Sequence, residues 1–212
     1  MMAIQEFGSA SADTVLIQMV DDHDLEVIEN EVRYIRENTT KDFRLLAVKV
    51  NVWNMDLSPW NAPAVFGNED FGAGAANTLE EVKKLCSDSS KSNYIGGYSL
   101  AGLFALWAAY QTDLFKGVAA ASPSIWFPGF LEYMRDHEIQ TKAVYLSLGD
   151  KEDKARNPVM ATVGERIREA HDLLQAQGIK TTLEWNQGNH FKDTDIRTAK
   201  AFAWVLTSNS TK

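Results

Sequence analysis

Residues 94–107 read Tyr-Ile-Gly-Gly-Tyr-Ser-Leu-Ala-Gly-Leu-Phe-Ala-Leu-Trp, and Ser99 stands at their centre, where a short apolar strand meets an apolar helix. A serine hydroxyl becomes a working nucleophile when a base is held against it. A strained strand-to-helix turn lifts such a hydroxyl clear of a sheet, and small neighbours make that turn sterically possible. Gly97-x-Ser99-x-Ala101-Gly102 is a relaxed form of the Gly-x-Ser-x-Gly elbow built this way. The chemistry that fits is attack on a carbonyl carbon. The competing reading is a tight connection in which Ser99 merely caps a helix. Against it stand the nearly unbroken apolar run from Leu100 to Trp107 and the paired Gly96 and Gly97, which suggest close backbone approach.

A nucleophile needs a base, and His190 is the candidate. It lies in Gln187-Gly-Asn-His190-Phe, just after the last expected strand and just before the last expected helix. A base on that loop reaches across the carboxyl ends of the strands, where open α/β sheets build their sites. His23, His137 and His171 read as solvated loop or helix residues. The base in turn needs an orienting carboxylate, and Gly149-Asp150-Lys-Glu152-Asp153 offers three. The loop itself does not choose among Asp150, Glu152 and Asp153. The order serine, acid, histidine along the chain is the one used by hydrolases with a strand-to-helix elbow.

Positioning these groups requires alternating strands and helices, and the sequence supplies them. Thr14–Val20 is a β-branched, buried strand, followed by a helix from Leu25 to about Glu37 capped by Asp24. Phe43–Val50 is a second strand. A long stretch rich in Trp, Pro, Gly and Asn follows, from Asn51 to Asn77. Thr78-Leu-Glu-Glu81 has the form of a capping box and opens a helix to about Ser87. Further strands are expected at Asn93–Gly97, Phe115–Ala121, Ala143–Gly149 and Lys180–Asn186, with helices from about Val159 to Gln177 and from Asp193 to Leu206. Such alternation predicts a mostly parallel sheet of about six strands with helices on both faces. The 212 residues fit one domain spanning 1–212.

Composition excludes several partners. A net charge of -8 argues against nucleic acid and anionic membranes. No apolar run approaches the ~18 residues a spanning helix needs, and Met1 to Asp13 shows neither a basic start nor an apolar stretch, so a cytoplasmic protein is expected. The single Cys86 forms no intrachain disulfide and reads as a buried structural thiol. With no His-x-x-x-His pair and a single cysteine, neither a metal nor any other cofactor is expected. The oligomeric state is not written in the sequence, and a homo-oligomer is compatible with it.

The element order matches the α/β-hydrolase core from its third strand to its eighth, with the first two strands missing. With elbow, acid loop and histidine in place, the chain resembles the α/β-hydrolase esterase family that contains enterochelin esterases, S-formylglutathione hydrolases, feruloyl esterase domains and mycolyltransferases. The residues that carry the likeness are Gly97-Tyr-Ser99-Leu-Ala-Gly-Leu-Phe-Ala, Ala121-Ser-Pro-Ser-Ile-Trp126, Gly149-Asp-Lys-Glu152 and Gly188-Asn-His190. The resemblance implies Glu152 as the acid, from a Gly-x-x-Glu loop, with Asp150 second and Asp153 third. Position in the fold implies an oxyanion hole from the N–H groups of Leu100 and of Asp22 or Asp21. Tyr98, Trp126, Trp53 and Trp60 are the candidate substrate-binding side chains; Trp53 and Trp60, with Phe66 and Phe71, either roof a pocket or pack their own loop. The family's siderophore esterases carry an arginine in the loop that here reads Val52-Trp-Asn-Met-Asp-Leu-Ser-Pro-Trp60, which disfavours a trianionic catecholate. The expected substrate is a small neutral acyl or sugar ester, cleaved through an acyl-enzyme. An acyltransferase on the same site and a non-catalytic, hydrolase-like binding module are the alternatives.

Overall fold

The computed structural model describes residues 2–208; Met1 and residues 209–212 of the expected 1–212 domain lie outside the described residues. Seven strands form one sheet: β1 (Ala3–Gly8), β2 (Thr14–Val20), β3 (Arg44–Lys49), β4 (Ser92–Tyr98), β5 (Phe115–Ala121), β6 (Ala143–Gly149) and β7 (Lys180–Asn186). Their spatial order is β1-β3-β2-β4-β5-β6-β7. Six strands run parallel, as βαβ crossovers require, and β1 pairs antiparallel with β3 at the edge. The expectation of about six strands is therefore one short. The extra strand is almost wholly exposed and is fixed by its pairing with β3 and by the Glu6–Arg44 ion pair rather than by burial.

The helices are α1 (Asp22–Asn38), α2 (Trp53–Asp56), α3 (Ala75–Leu85), α4 (Leu100–Gln111), α5 (Phe130–Asp136), α6 (Val163–Ala176) and α7 (Thr194–Ser208). α1 and α7 cover one face of the sheet through Ile28, Val32, Ile35, Phe202 and Val205. α3, α4, α5 and α6 cover the other. α4 is buried from Leu100 to Tyr110, which explains a run with almost no polar residue. Among the described residues no helix is long and apolar enough to cross a membrane. Cys86 is free and buried, and burial pushes its thiol up to about 11.

Three helices start three or more residues from where they were expected. α1 starts earlier because Asp21, not Asp24, is the cap: its side chain accepts from the Asp24 N–H, and the Asp24 carboxylate accepts from the Asp21 N–H. α3 starts at Ala75, and the Thr78 hydroxyl donates to the Asp56 carbonyl at 2.7 Å instead of capping its own helix. α6 starts at Val163, because Met160–Thr162 forms a tighter 3-10 turn before it.

Candidate active site

Ser99 is the single residue between the end of β4 and the start of α4, and its backbone sits at φ 56, ψ -118. That region is costly for a residue with a Cβ, so the surroundings must hold it there. They do so through three main-chain bonds. The Ser99 N–H donates to the Ala121 carbonyl, and the Ser99 carbonyl accepts from the N–H groups of Leu103 and Ser124, each at 3.1 Å. The hydroxyl is thereby presented at the carboxyl end of the sheet, 3.0 Å from His190 Nε2 and 3.3 Å from the Ser124 hydroxyl.

His190 lies between β7 and α7, and its Nδ1 is 2.7 Å from Glu152 Oε2. Glu152 sits in a 3-10 turn just after β6 and is buried. Its other oxygen, Oε1, accepts from the Gly149 N–H at 2.7 Å, the Ser122 hydroxyl at 2.9 Å and the Arg197 guanidinium at 3.1 Å. Three donors thus fix Oε1 while Oε2 faces the imidazole. The acid loop and the histidine loop are laced together. Asp150 accepts from the Gly188 N–H at 2.8 Å, and the Lys151 N–H donates to the Gly188 carbonyl at 3.1 Å. The approach is close enough that a Cβ on Gly149 would lie 2.4 Å from the Gly188 oxygen. Asp153 instead pairs with Lys154 beside the start of α6. Of the three acidic candidates, Glu152 alone meets the imidazole.

Beneath this relay, Arg197 is buried on α7, and it was not singled out from the sequence. It also donates to the Tyr98 hydroxyl at 3.0 Å and the Gln187 carbonyl at 3.2 Å, while Tyr98 donates to the His190 carbonyl at 2.7 Å. Burial pushes the Tyr98 hydroxyl up to about 12, so it stays a neutral donor.

The groups open into a cavity of about 550 Å³ whose walls include Phe66, Trp126, Leu148, Met160, Val163 and Phe191. Of the candidate substrate-binding residues, Trp126 lines it. Tyr98 faces the histidine loop instead. Trp60 packs against Phe127, Phe130 and Tyr133, with its indole N–H on the Pro128 carbonyl at 2.8 Å, and Trp53 is half-buried against the core. The 51–77 stretch thus contributes Phe66 to the cavity and spends its other aromatics on packing. The walls are not wholly apolar, since Lys151 and Lys154 belong to them. Leu100 opens α4 and Asp22 opens α1, so each N–H belongs to a first helical turn that has no helical acceptor. The Asp22 carboxylate turns to Lys49, 2.5 Å away. Among the described residues no cluster of ligating side chains suits a metal.

No family model matches the sequence, and no curated protein matches it either. Solved structures do. The siderophore hydrolase EstA from Aspergillus nidulans superposes with a TM-score of 0.68 at 16% identity, over 99% of this chain and 95% of that one. An IroE-like serine hydrolase from Shewanella oneidensis gives 0.76 at 13% identity, over 100% and 82%. This is the α/β-hydrolase fold. A carboxylesterase from Bacillus cereus shares it, with a TM-score of 0.65 at 16% identity over 98% and 95% of the two chains. In an α/β-hydrolase fold the carboxyl ends of the strands are where a site is built, and here Ser99, Ser122, Glu152 and His190 all stand just beyond the ends of β4, β5, β6 and β7.

Proposed function

We propose that the protein is a serine carboxylic-ester hydrolase working through an acyl-enzyme. The observation that carries the reading is the unbroken relay from Ser99 Oγ to His190 Nε2 at 3.0 Å and from His190 Nδ1 to Glu152 Oε2 at 2.7 Å. Ser99 attacks the ester carbonyl as His190 takes its proton. His190 then gives that proton to the departing alkoxide, and a water activated by the same imidazole releases the acyl group. Glu152 holds the imidazole with Nδ1 protonated and stabilises the imidazolium. The N–H groups of Leu100 and Asp22 receive the oxyanion, and loss of one such donor typically costs on the order of 100–1,000-fold in rate.

The mostly apolar cavity supports a small neutral acyl or sugar ester, with Trp126 and Phe66 against its apolar part. One free, buried cysteine is compatible with a reducing, cytoplasmic setting.

Labelling with a fluorophosphonate probe tests the reading. Wild type labels, while Ser99→Ala and His190→Ala, melting as wild type does, do not. Folded wild type that stays unlabelled would refute a hydrolase and leave a binding module. Turnover that depends on an added alcohol or thiol would make the protein a transferase.

A further inference from the structure

We infer that Arg197 is a positioning residue that locks the acid and the histidine loop into one unit, an inference that rests on the Ser99–His190–Glu152 reading. Arg197 is 1% exposed, and its one guanidinium reaches three groups around the imidazole. Nη1 donates to Glu152 Oε1 at 3.1 Å and to the Tyr98 hydroxyl at 3.0 Å; Nη2 donates to the Gln187 carbonyl at 3.2 Å. Tyr98 passes the constraint on, donating to the carbonyl of His190 itself at 2.7 Å. The segment from Gln187 to His190 is thus held at one end directly and at the other through Tyr98. The remaining partner is the carboxylate that orients the ring.

Stability does not account for this arrangement. A buried ion pair gains little over an apolar side chain of the same volume, because desolvating two charges offsets their attraction. The neighbours of Arg197 on α7, Ala201 and Val205 at positions i+4 and i+8, are buried apolar residues, so a leucine or methionine would suit that stripe. An arginine offers what they lack: a planar fork able to reach three acceptors on three separate elements. All three bear on where His190 Nε2 stands relative to Ser99 Oγ. A misplacement of about 1 Å there costs on the order of 100-fold.

The test measures p-nitrophenyl acetate turnover, fluorophosphonate labelling rate and melting temperature in wild type, Arg197→Met, Arg197→Lys and Tyr98→Phe. We expect Arg197→Met to lower kcat and labelling rate about 10- to 100-fold with KM nearly unchanged. Arg197→Lys should recover part of the loss, since it restores one donor and the charge. Tyr98→Phe removes one hydroxyl, leaves the guanidinium paired with Glu152, and should lower kcat in the same way; it decides the matter if Arg197→Met does not fold. A purely structural arginine would lower the melting temperature while the folded fraction kept its kcat and labelling rate, and that result would overturn the inference. Wild type that does not label overturns the triad reading beneath it; labelled wild type with unaltered variants overturns this inference alone.

Discussion

Gly97 and Ala101 face each other across the elbow so closely that a Cβ on the glycine would stand 2.6 Å from the alanine Cβ. Real Cβ atoms do not approach to that distance. The turn around Ser99 is therefore fixed by two absences of bulk, one before the serine and one after. Gly97→Ala should force α4 away from β4 and displace the hydroxyl. We expect esterase activity and fluorophosphonate labelling to fall at least about 100-fold, with a stability loss of about 1–3 kcal/mol by chemical denaturation. Ala101→Gly makes room and should leave the labelling rate close to wild type.

Glu152→Gln places an amide NH₂ where a carboxylate oxygen was. That group meets either the three donors at Oε1 or the Nδ1–H of His190, and both encounters are donor against donor. A drop in kcat of about 100- to 10,000-fold is expected, as for a triad whose imidazole takes the wrong tautomer. Asp153→Asn, which alters a pairing with Lys154, should stay within a few-fold of wild type. Steady-state kinetics on one ester would separate the two, and equal, small effects would remove Glu152 from the relay.

Trp126 and Trp60 are both large aromatics put forward by the sequence for substrate binding, and they should behave in opposite ways. Trp126 lines the cavity, so Trp126→Ala should raise KM for bulky acyl esters more than for acetate. Trp60 is fixed in a cluster of rings and donates to Pro128. Trp60→Phe should leave both KM values alone and lower stability by about 1–2 kcal/mol, from one lost hydrogen bond and lost packing. Comparing KM across a p-nitrophenyl ester series with thermal melts would check the contrast.

Glu31 lies far from this chemistry in sequence, buried between α1 and β2 with a hydrogen bond from Gln18 at 3.2 Å. Burial holds its carboxyl well above the usual carboxylate range, and Asp24 and Asp195 push the same way. The folded state therefore keeps a proton that the unfolded chain releases above its ordinary value of 4.5. Folding binds more protons there, so stability conferred at low pH is lost as pH rises toward the folded-state value. Glu31→Gln removes this dependence. The variant should melt higher than wild type at pH 8, with the advantage shrinking toward pH 4.5; a constant difference across that range would assign the effect to packing.

Much of the fold was legible because its signals are local. β2, β5, β6 and β7 are short β-branched or apolar runs bounded by breakers, and β4 into α4 carries both the period change and the small residues of the elbow. Ser99 and His190 could be singled out for the same reason, since each sits at a junction marked by glycine. Glu152 required the likeness to known esterases, because three carboxylates within four residues look alike in a string. β1 was missed, since Ala3–Gly8 buries little and forms through its pairing with β3, a partner some 40 residues away in sequence. Arg197 was missed because a lone arginine in a helix ordinarily faces water. One signal was available: Arg197 lies in register with Ala201 and Val205, the stripe that meets the sheet. The 51–77 aromatics were ambiguous for a different reason, as tryptophan and phenylalanine serve equally in a core and in a cavity wall.

The stretch from Gly149 to Ala155 supplies Glu152 together with Lys151, Lys154 and Ala155 of the cavity wall. Part of the cavity wall and the carboxylate that meets His190 thus share one loop of seven residues, and a change of its backbone touches both. An insertion that reshaped the cavity here would also move the carboxylate away from His190. Variation in what the protein accepts is more freely drawn from Phe66, Met160 and Phe191, whose backbones lie outside that loop. Phe191, 85% exposed at the cavity mouth, has the most room to change. Directed evolution toward a new ester should therefore accumulate its tolerated changes on those three positions first.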